Sequence, residues 1–443
     1  MSGADPRREG WKAIPLRYVC ELNPSVAFDG FNEDDDLTFL PMDRVESGYF
    51  IPNTDKLSKY ASSYTAFEDG DIVLAKVTPC FENGNIAIAD GLVGGKGFGS
   101  SELFVIRPTA AERRFLFYYF QSLTFKQAGE ASMTGAGGLK RVSPDVLRQH
   151  LLPFPSQDIQ RLIANYLDCE TARIDGPIAE KERMLALLEE KRAALISRVV
   201  TRGLDPNALL KLSSQEWLGE IPAHWEILRI KFVAATLDQG ISPIAANTPA
   251  GAGELGVLKL SAVSKGRFKR EENKALREAG EDEQAFALRK GDVLITRGNT
   301  PELVADVACV PGDEPNLLLP DLIYRLRVQE GKIIPEYLTH LLTTAAARVQ
   351  IRRDARGSSG SMVKVSQVHV LDWLTPLPLI SEQTEIVDYL QLAVERFQSM
   401  MRDVSSSLSL LSERRAALIT ATVTGQIDVE GTNMNERGHH GTR

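Results

Sequence analysis

Apolar residues recur with a four-three spacing in two stretches of the chain. The first series is Ile174, Ile178, Lys181, Leu185, Leu188, Arg192, Leu195 and Val199. The second is Phe397, Met401, Val404, Leu408, Leu411, Arg415, Leu418 and Thr422. This spacing keeps one seam of a helix apolar over about three heptads. Each member of the second series follows its counterpart by 223 residues (Ile174 to Phe397, Arg192 to Arg415), so both put Arg at the same seam position. A helix packed on its own domain can carry the same spacing. The shared period favours two helices packed on each other, antiparallel about a two-fold axis. The pairing residues are then Ile174, Ile178, Leu185, Leu188 and Leu195 with Met401, Leu408, Leu411 and Leu418.

The repeat reaches beyond the seam. Val142-Ser143, Pro153-Phe154-Pro155, Gln160, Ile163 and Tyr166-Leu167 return as Val365-Ser366, Pro376-Leu377-Pro378, Gln383, Ile386 and Tyr389-Leu390. Solenoid units run to about 20–50 residues, so this is one large module present twice. Each copy opens with strand-like runs, 71–77 and 103–106 in the first, 292–296 and 322–326 in the second. A short helix comes after them, near 113–123 and 335–342. Pro153 and Pro155 stop the preceding structure and Asp158 caps the next helix; Pro376, Pro378 and Ser381 do the same in the second copy. That next helix is short and amphipathic, with Ile159, Leu162, Ile163, Tyr166 and Leu167. It leads into the long one, whose straight run starts at Gly176-Pro177.

The expected fold class is α+β: two strand-rich domains joined by two long antiparallel helices, with an internal two-fold repeat. The expected boundaries are 11–155 for the first strand-rich domain, 156–204 for the central helical region and 205–224 for a linker. The second strand-rich domain comes next at 225–378, then the distal helical region at 379–429, and a polar, disordered tail at 430–443.

Composition narrows the chemistry. With 43% hydrophobic and 25% charged residues the 443-residue chain reads as soluble and globular. No apolar run approaches the roughly 18 residues of a membrane span, and the start is no signal peptide, so a cytoplasmic protein is expected. Cys20, Cys80, Cys169 and Cys309 lie far apart, which argues against zinc and against a disulfide framework. Net charge −8 argues mildly against a naked nucleic-acid binder, although a local basic surface can act on an acidic protein. No Asn/Asp-Pro-Pro-Tyr methyltransferase loop is present. Gly94-Gly95-Lys96-Gly97-Phe98-Gly99 lacks phosphate-loop spacing and reads as a hairpin turn. Pro320-Asp321 with Glu330-Gly331-Lys332 imitates a nuclease motif that the first copy does not match. No catalytic residue, metal ligand or cofactor site is nominated.

Polar loops repeated in both copies are the better candidates. Lys76, Thr78, Asn83 and Asn85 come after a strand in the first copy; Arg297 and Asn299 do so in the second. Arg and Lys match guanine, and Asn and Gln match adenine, through paired hydrogen bonds to base edges. A second pair of loops ends in Lys140-Arg141 and Lys364, where small residues ahead of a base let backbone N–H groups approach a phosphate. Lys265 and Arg267 belong to the densest basic run, partly cancelled by Glu271-Glu272. Each residue taken singly also suits an ordinary turn or a solvated face.

Taken together the motifs resemble the specificity subunits of type I restriction–modification systems. The matching stretches are Gly70-Asp71 to Pro79 with Glu82-Asn83-Gly84, Gly99-Ser100-Ser101-Glu102 to Pro108, Gly138-Leu139-Lys140-Arg141 to Ser143, and Glu189 to Ile196. In the second copy they are Gly219-Glu220-Ile221-Pro222 with Trp225, Ser381-Glu382-Gln383, Glu413 to Ile419, and Thr424-Gly425 to Asp428. The resemblance implies two target recognition domains, each reading half of a split double-stranded DNA site, and helices that act as spacer and docking surface. Partners would be two modification (methyltransferase) subunits and restriction subunits; S-adenosylmethionine, Mg2+ and ATP would belong to them, and the chain itself would not be an enzyme. The loop Arg297–Glu302 lacks the Glu-Asn-Gly element of the first copy. The rival readings are a self-contained methyltransferase or nuclease with divergent motifs, and a helical scaffold that does not bind DNA.

Overall fold

The strand Ile72–Ala75 is buried at every position, and its two faces serve different cores. Ile72 and Leu74 pack with Phe115, Leu116 and Tyr119, while Val73 and Ala75 pack with Leu40, Phe67 and Leu103. The strand Val293–Thr296 divides in the same way: Val293 and Ile295 face Tyr337 and Leu338, and Leu294 faces Leu258 and Leu317. Period-two alternation with apolar residues on both sides is what a strand between two layers requires.

The computed structural model describes residues 10–60, 64–135, 138–276, 285–359 and 362–430. From residue 431 on, the expected disordered tail lies outside the described residues, as do parts of both small-residue loops, 136–137 and 360–361. The helices are α1 (Arg113–Gln121), α2 (Leu123–Ala131), α3 (Pro144–Gln149), α4 (Gln157–Arg202), α5 (Pro335–Thr343), α6 (Ala345–Asp354), α7 (Gln367–Asp372) and α8 (Ile380–Val423). The chain forms two compact units, residues 1–183 with 405–443, and residues 184–404. Each takes a strand-rich part and a stretch of both α4 and α8.

In the first unit the strands Cys20–Leu22, Leu103–Pro108, Ile72–Ala75 and Ile86–Ile88 form an antiparallel sheet in that order. A second sheet orders Thr54–Lys56, Asp36–Leu40, Lys96–Gly99 and Thr65–Glu68, with one parallel pair, Thr38 opposite Gly97. Lys96–Gly99, expected as part of a hairpin turn, is thus a strand. A Cβ at Gly99 would stand 2.3 Å from the Leu40 carbonyl oxygen, which explains the small residue. Lys12–Pro15 pairs with Leu151–Phe154. Helix α1 buries every residue from Phe115 to Gln121; full burial of such apolar side chains stabilises by about 1.5–3 kcal/mol each.

In this unit Ile163 and Leu167 of α4 share a core with Ile419 and Val423 of α8, and further along Asp175 meets Arg415. Numbering rises on one helix as it falls on the other, so the pair is antiparallel.

The second unit repeats the plan. Its first sheet orders Ala234–Gln239, Ile323–Val328, Val293–Thr296 and Val307–Cys309. The other orders Asn273–Ala275, Gly256–Leu258, Glu314–Leu318 and Ala287–Leu288, again with one parallel pair. Ile196, Val199 and Val200 of α4 share its core with Ile386 and Leu390 of α8.

Three local expectations need correction. The short amphipathic helix and the long helix are one continuous α4, with Pro177 inside it. A proline there removes a single backbone donor, and Gly176 and Pro177 are both exposed. The helix is capped by Ser156, whose hydroxyl accepts the Ile159 N–H, and not by Asp158; Ser381 likewise lies inside α8. Residues 205–224 include a hairpin, Leu210–Leu212 with Glu220–Pro222. Leu218 and Ile221 join the second unit's core beside Trp225.

Candidate nucleic-acid interface

On leaving the central strand of the first unit, the chain is zipped to the loop ahead of α3. The Lys76 N–H donates to the Glu102 carbonyl at 3.0 Å, and the Lys76 carbonyl accepts the Val142 N–H at 2.8 Å. The Thr78 N–H and hydroxyl both donate to the Lys140 carbonyl, at 3.0 and 3.3 Å. Val77 and Thr134 both bridge to Arg141. Two loops separated by some sixty residues in sequence therefore form one surface.

The side chains on it differ in availability. The Lys76 ammonium lies 5.4 Å from the centre of the Phe104 ring. Arg141 directs Nε to both carboxylate oxygens of Glu102, at 3.1 and 2.9 Å, and Nη2 to Oε1 at 2.6 Å. That contact holds the Glu102 carboxyl below the usual carboxylate range. This contact occupies the Nε and Nη2 edge of the guanidinium, while the side chain stays half exposed. Lys140 is exposed, as is Asn83 at the loop's far end, while Asn85 is partly buried and its backbone pairs with Cys80 and Ala75.

The second unit makes the same junction through a short ladder. Gly298–Asn299 pairs with Met362–Lys364, Gly298 opposite Lys364 and Asn299 opposite Val363. The Arg297 carbonyl accepts the Val365 N–H at 2.9 Å. Arg297, Asn299 and Lys364 are thus brought together, with Lys364 exposed. Asn299 Oδ1 accepts the Thr300 N–H at 2.9 Å.

Lys265 and Arg267 sit on a separate hairpin, Val263–Ser264 with Arg267–Phe268. The Lys265 N–H donates to both oxygens of Asp306, which lies at the end of the Arg297 loop. Burial raises the Asp306 pKa, against the pull of these N–H groups. The charges of Lys265 and Arg267 reach Glu189 of α4, whose carboxyl is held low first by Arg192.

Of the helix-seam candidates, Ile174 is buried; Ile178, Leu185, Leu188, Leu195, Met401, Leu408, Leu411 and Leu418 are partly buried. Among the described residues no cluster of three or more His, Cys, Asp or Glu could hold a metal ion, and no helix is long and apolar enough to cross a membrane.

Sequence reasoning passes over the supports beneath these loops. Arg107 clamps Asp71 through Nε and Nη2, both at 2.8 Å, at the start of the central strand. Arg327 does the same for Asp292 at 2.7 and 3.3 Å. A Gly-Asp pair opening each central strand (Gly70-Asp71, Gly291-Asp292) is the signal that could have found them.

Comparison with known proteins gives the arrangement its context. Residues 8–175 match the family described as type I restriction modification DNA specificity domain. The chain is 24% identical to the type I restriction enzyme EcoEI specificity subunit of Escherichia coli, over 93% of this chain and 82% of that one. It is 35% identical to the EcoAI specificity subunit, also from Escherichia coli, over 36% of this chain and 28% of the relative. A solved structure from work on complex assembly and conformational transition of the type I R-M system has the same fold. Its TM-score is 0.65 at 18% identity, covering 95% of this chain and 99% of that one.

Proposed function

Because this chain is similar to the type I restriction–modification specificity subunits, we propose that it reads a bipartite, asymmetric DNA site and directs adenine methylation and cleavage by partner subunits. Each strand-rich unit reads one half of the site. The chain is a specificity subunit and not itself the enzyme. Two modification subunits and the restriction subunits are its partners in the cytoplasm, and S-adenosylmethionine, Mg2+ and ATP act on those subunits. The observation that supports this most is the loop junction made twice: Lys76 and Thr78 against Lys140 and Arg141, and Arg297 and Asn299 against Lys364.

The framework around the junction is kept between the copies, and the exposed loop residues are not. One module built twice with unequal loops reads two unlike base sequences. Among the described residues, the amide of Asn83 and the cations of Lys140, Lys364, Lys265 and Arg267 are exposed and can meet base edges and phosphates. With net charge −8, long-range attraction to DNA has to come from local cations and from the partners.

The test supplies the chain, its modification subunits and S-adenosylmethionine to random-sequence DNA. Methylated adenines should fall within a single two-part asymmetric motif, and omission of the chain should abolish it. Methyl transfer by the chain alone, or methylation without a motif, would contradict the reading.

A further inference from the structure

Each loop that leaves a central strand is held from behind by a cation so far without a role. α2 and α6 begin alike. Ser122 and Thr344 cap them, accepting the N–H groups of Phe125 and Ala347. Four residues after each cap stand Lys126 and Arg348. The Lys126 ammonium donates to the Glu82 carbonyl at 3.4 Å. Arg348 uses its fork: Nη1 donates to the Val304 carbonyl at 2.5 Å and Nη2 to the Glu302 carbonyl at 2.9 Å. Both cations are partly buried, and burial pulls the pKa of each down.

Apolar contacts seat the same loops on the same helices. The Phe81 ring lies so close to Gly129 of α2 that a Cβ there would stand 2.2 Å from it. Val304 is fully buried in a core shared with Ala347 and Ile351 of α6. Outward from these anchors, Asn83 is exposed in one loop and Thr300, Pro301 and Glu302 in the other. Here the chain has left the sheet, so no strand ladder fixes its carbonyls. A charge-assisted hydrogen bond to a carbonyl is among the stronger ways to hold such a segment. It also commits the cation inward.

We propose that Lys126 and Arg348 are positioning residues: each sets the conformation in which its loop meets DNA, and so governs base discrimination at one half-site without touching DNA. The inference rests on the DNA-reading function proposed above. The two grips are unequal, since a guanidinium spans two carbonyls where an ammonium is a point charge.

The experiment uses the full chain assembled with its modification subunits. R348M, R348K, K126M and K126R are compared with the unaltered chain on DNA randomised in one half-site at a time, and loop amides are tracked by hydrogen exchange without DNA. R348M should lose roughly tenfold discrimination at the half-site read by the second unit and none at the other, with faster exchange over residues 299–305. K126M should give the mirror image, with faster exchange over 79–85. K126R should keep full discrimination. R348K, which retains a cation but not the fork, should lose severalfold; this variant decides if R348M does not fold. Unchanged discrimination in R348K, or equal loss at both half-sites in any variant, would overturn the inference. So would faster loop exchange without loss of discrimination. The unaltered complex is read first: methylation there without sequence preference would overturn the DNA-reading function itself.

Discussion

Arg415 on α8 holds Asp175 on α4, with Nε 2.7 Å from Oδ1 and Nη2 3.3 Å from Oδ2. Its remaining arm, Nη1, donates to Gln121 Oε1 of α1 at 3.1 Å. One side chain thereby ties three helices of the first unit. Its repeat counterpart, Arg192, bonds to Glu189, one turn earlier on its own helix. Gln398 stands where the repeat would place the partner acid.

This asymmetry predicts unequal costs. R415A should destabilise the first unit by about 1–2 kcal/mol, because Asp175 and Gln121 both lose a charged donor. R192A, which breaks one (i, i+3) pair and removes a largely buried stem, should cost less than R415A. Denaturant midpoints of the two variants check this, and equal costs would contradict it.

Residues 1 to 205 alone should form a homodimer. The first unit's core takes Ile419 and Val423 from α8, and a chain cut at 205 lacks both. Their repeat counterparts on α4, Ile196 and Val200, have the same side chains. A second copy can therefore supply them by closing a two-fold interface. Sedimentation should show a dimer at micromolar concentration, and a clean monomer would count against the antiparallel pairing.

Acid should weaken the second unit through His340. Burial, and then the charge of Arg192, draw its imidazole from the ordinary value down to about 4. Unfolded, the ring takes up a proton below about pH 6.5; folded, it does not until about pH 4. Unfolding binds a proton between these values, so stability falls as pH drops through that window and levels off below it. The full shift corresponds to about 3 kcal/mol, an upper figure because the ring keeps some exposed surface. H340Q should show a shallower loss than the unaltered chain between pH 6.5 and 4, and an identical slope would contradict this.

The long helices and the duplication are legible because Pro153 and Pro376, the seam residues, and Arg192 and Arg415 keep one constant offset. The two central strands are legible because each is a short run of apolar residues bounded by turns. The helices behind the loops are not: Ser122 and Thr344 are offset by 222 residues and Trp11 and Trp225 by 214, so an ungapped comparison slides past them. Lys126 and Arg348 also differ in type, which hides their shared place. The Arg141–Glu102 contact joins residues 39 apart whose proximity depends on the loop junction, and no local pattern encodes that. Pro177 misleads because an interior proline removes a donor and crowds the preceding turn, yet α4 runs on through it.

The central claim is that each unit reads its own half of the site, and one map tests it directly. Asn83 and Lys140 are replaced together by Ala in the full chain, assembled with its modification subunits, and every methylated adenine is mapped. Loss of direct contacts worth about 1–3 kcal/mol each should relax one half of the motif while the other half keeps its sequence. Equal relaxation of both halves would contradict the account, as would an unchanged motif.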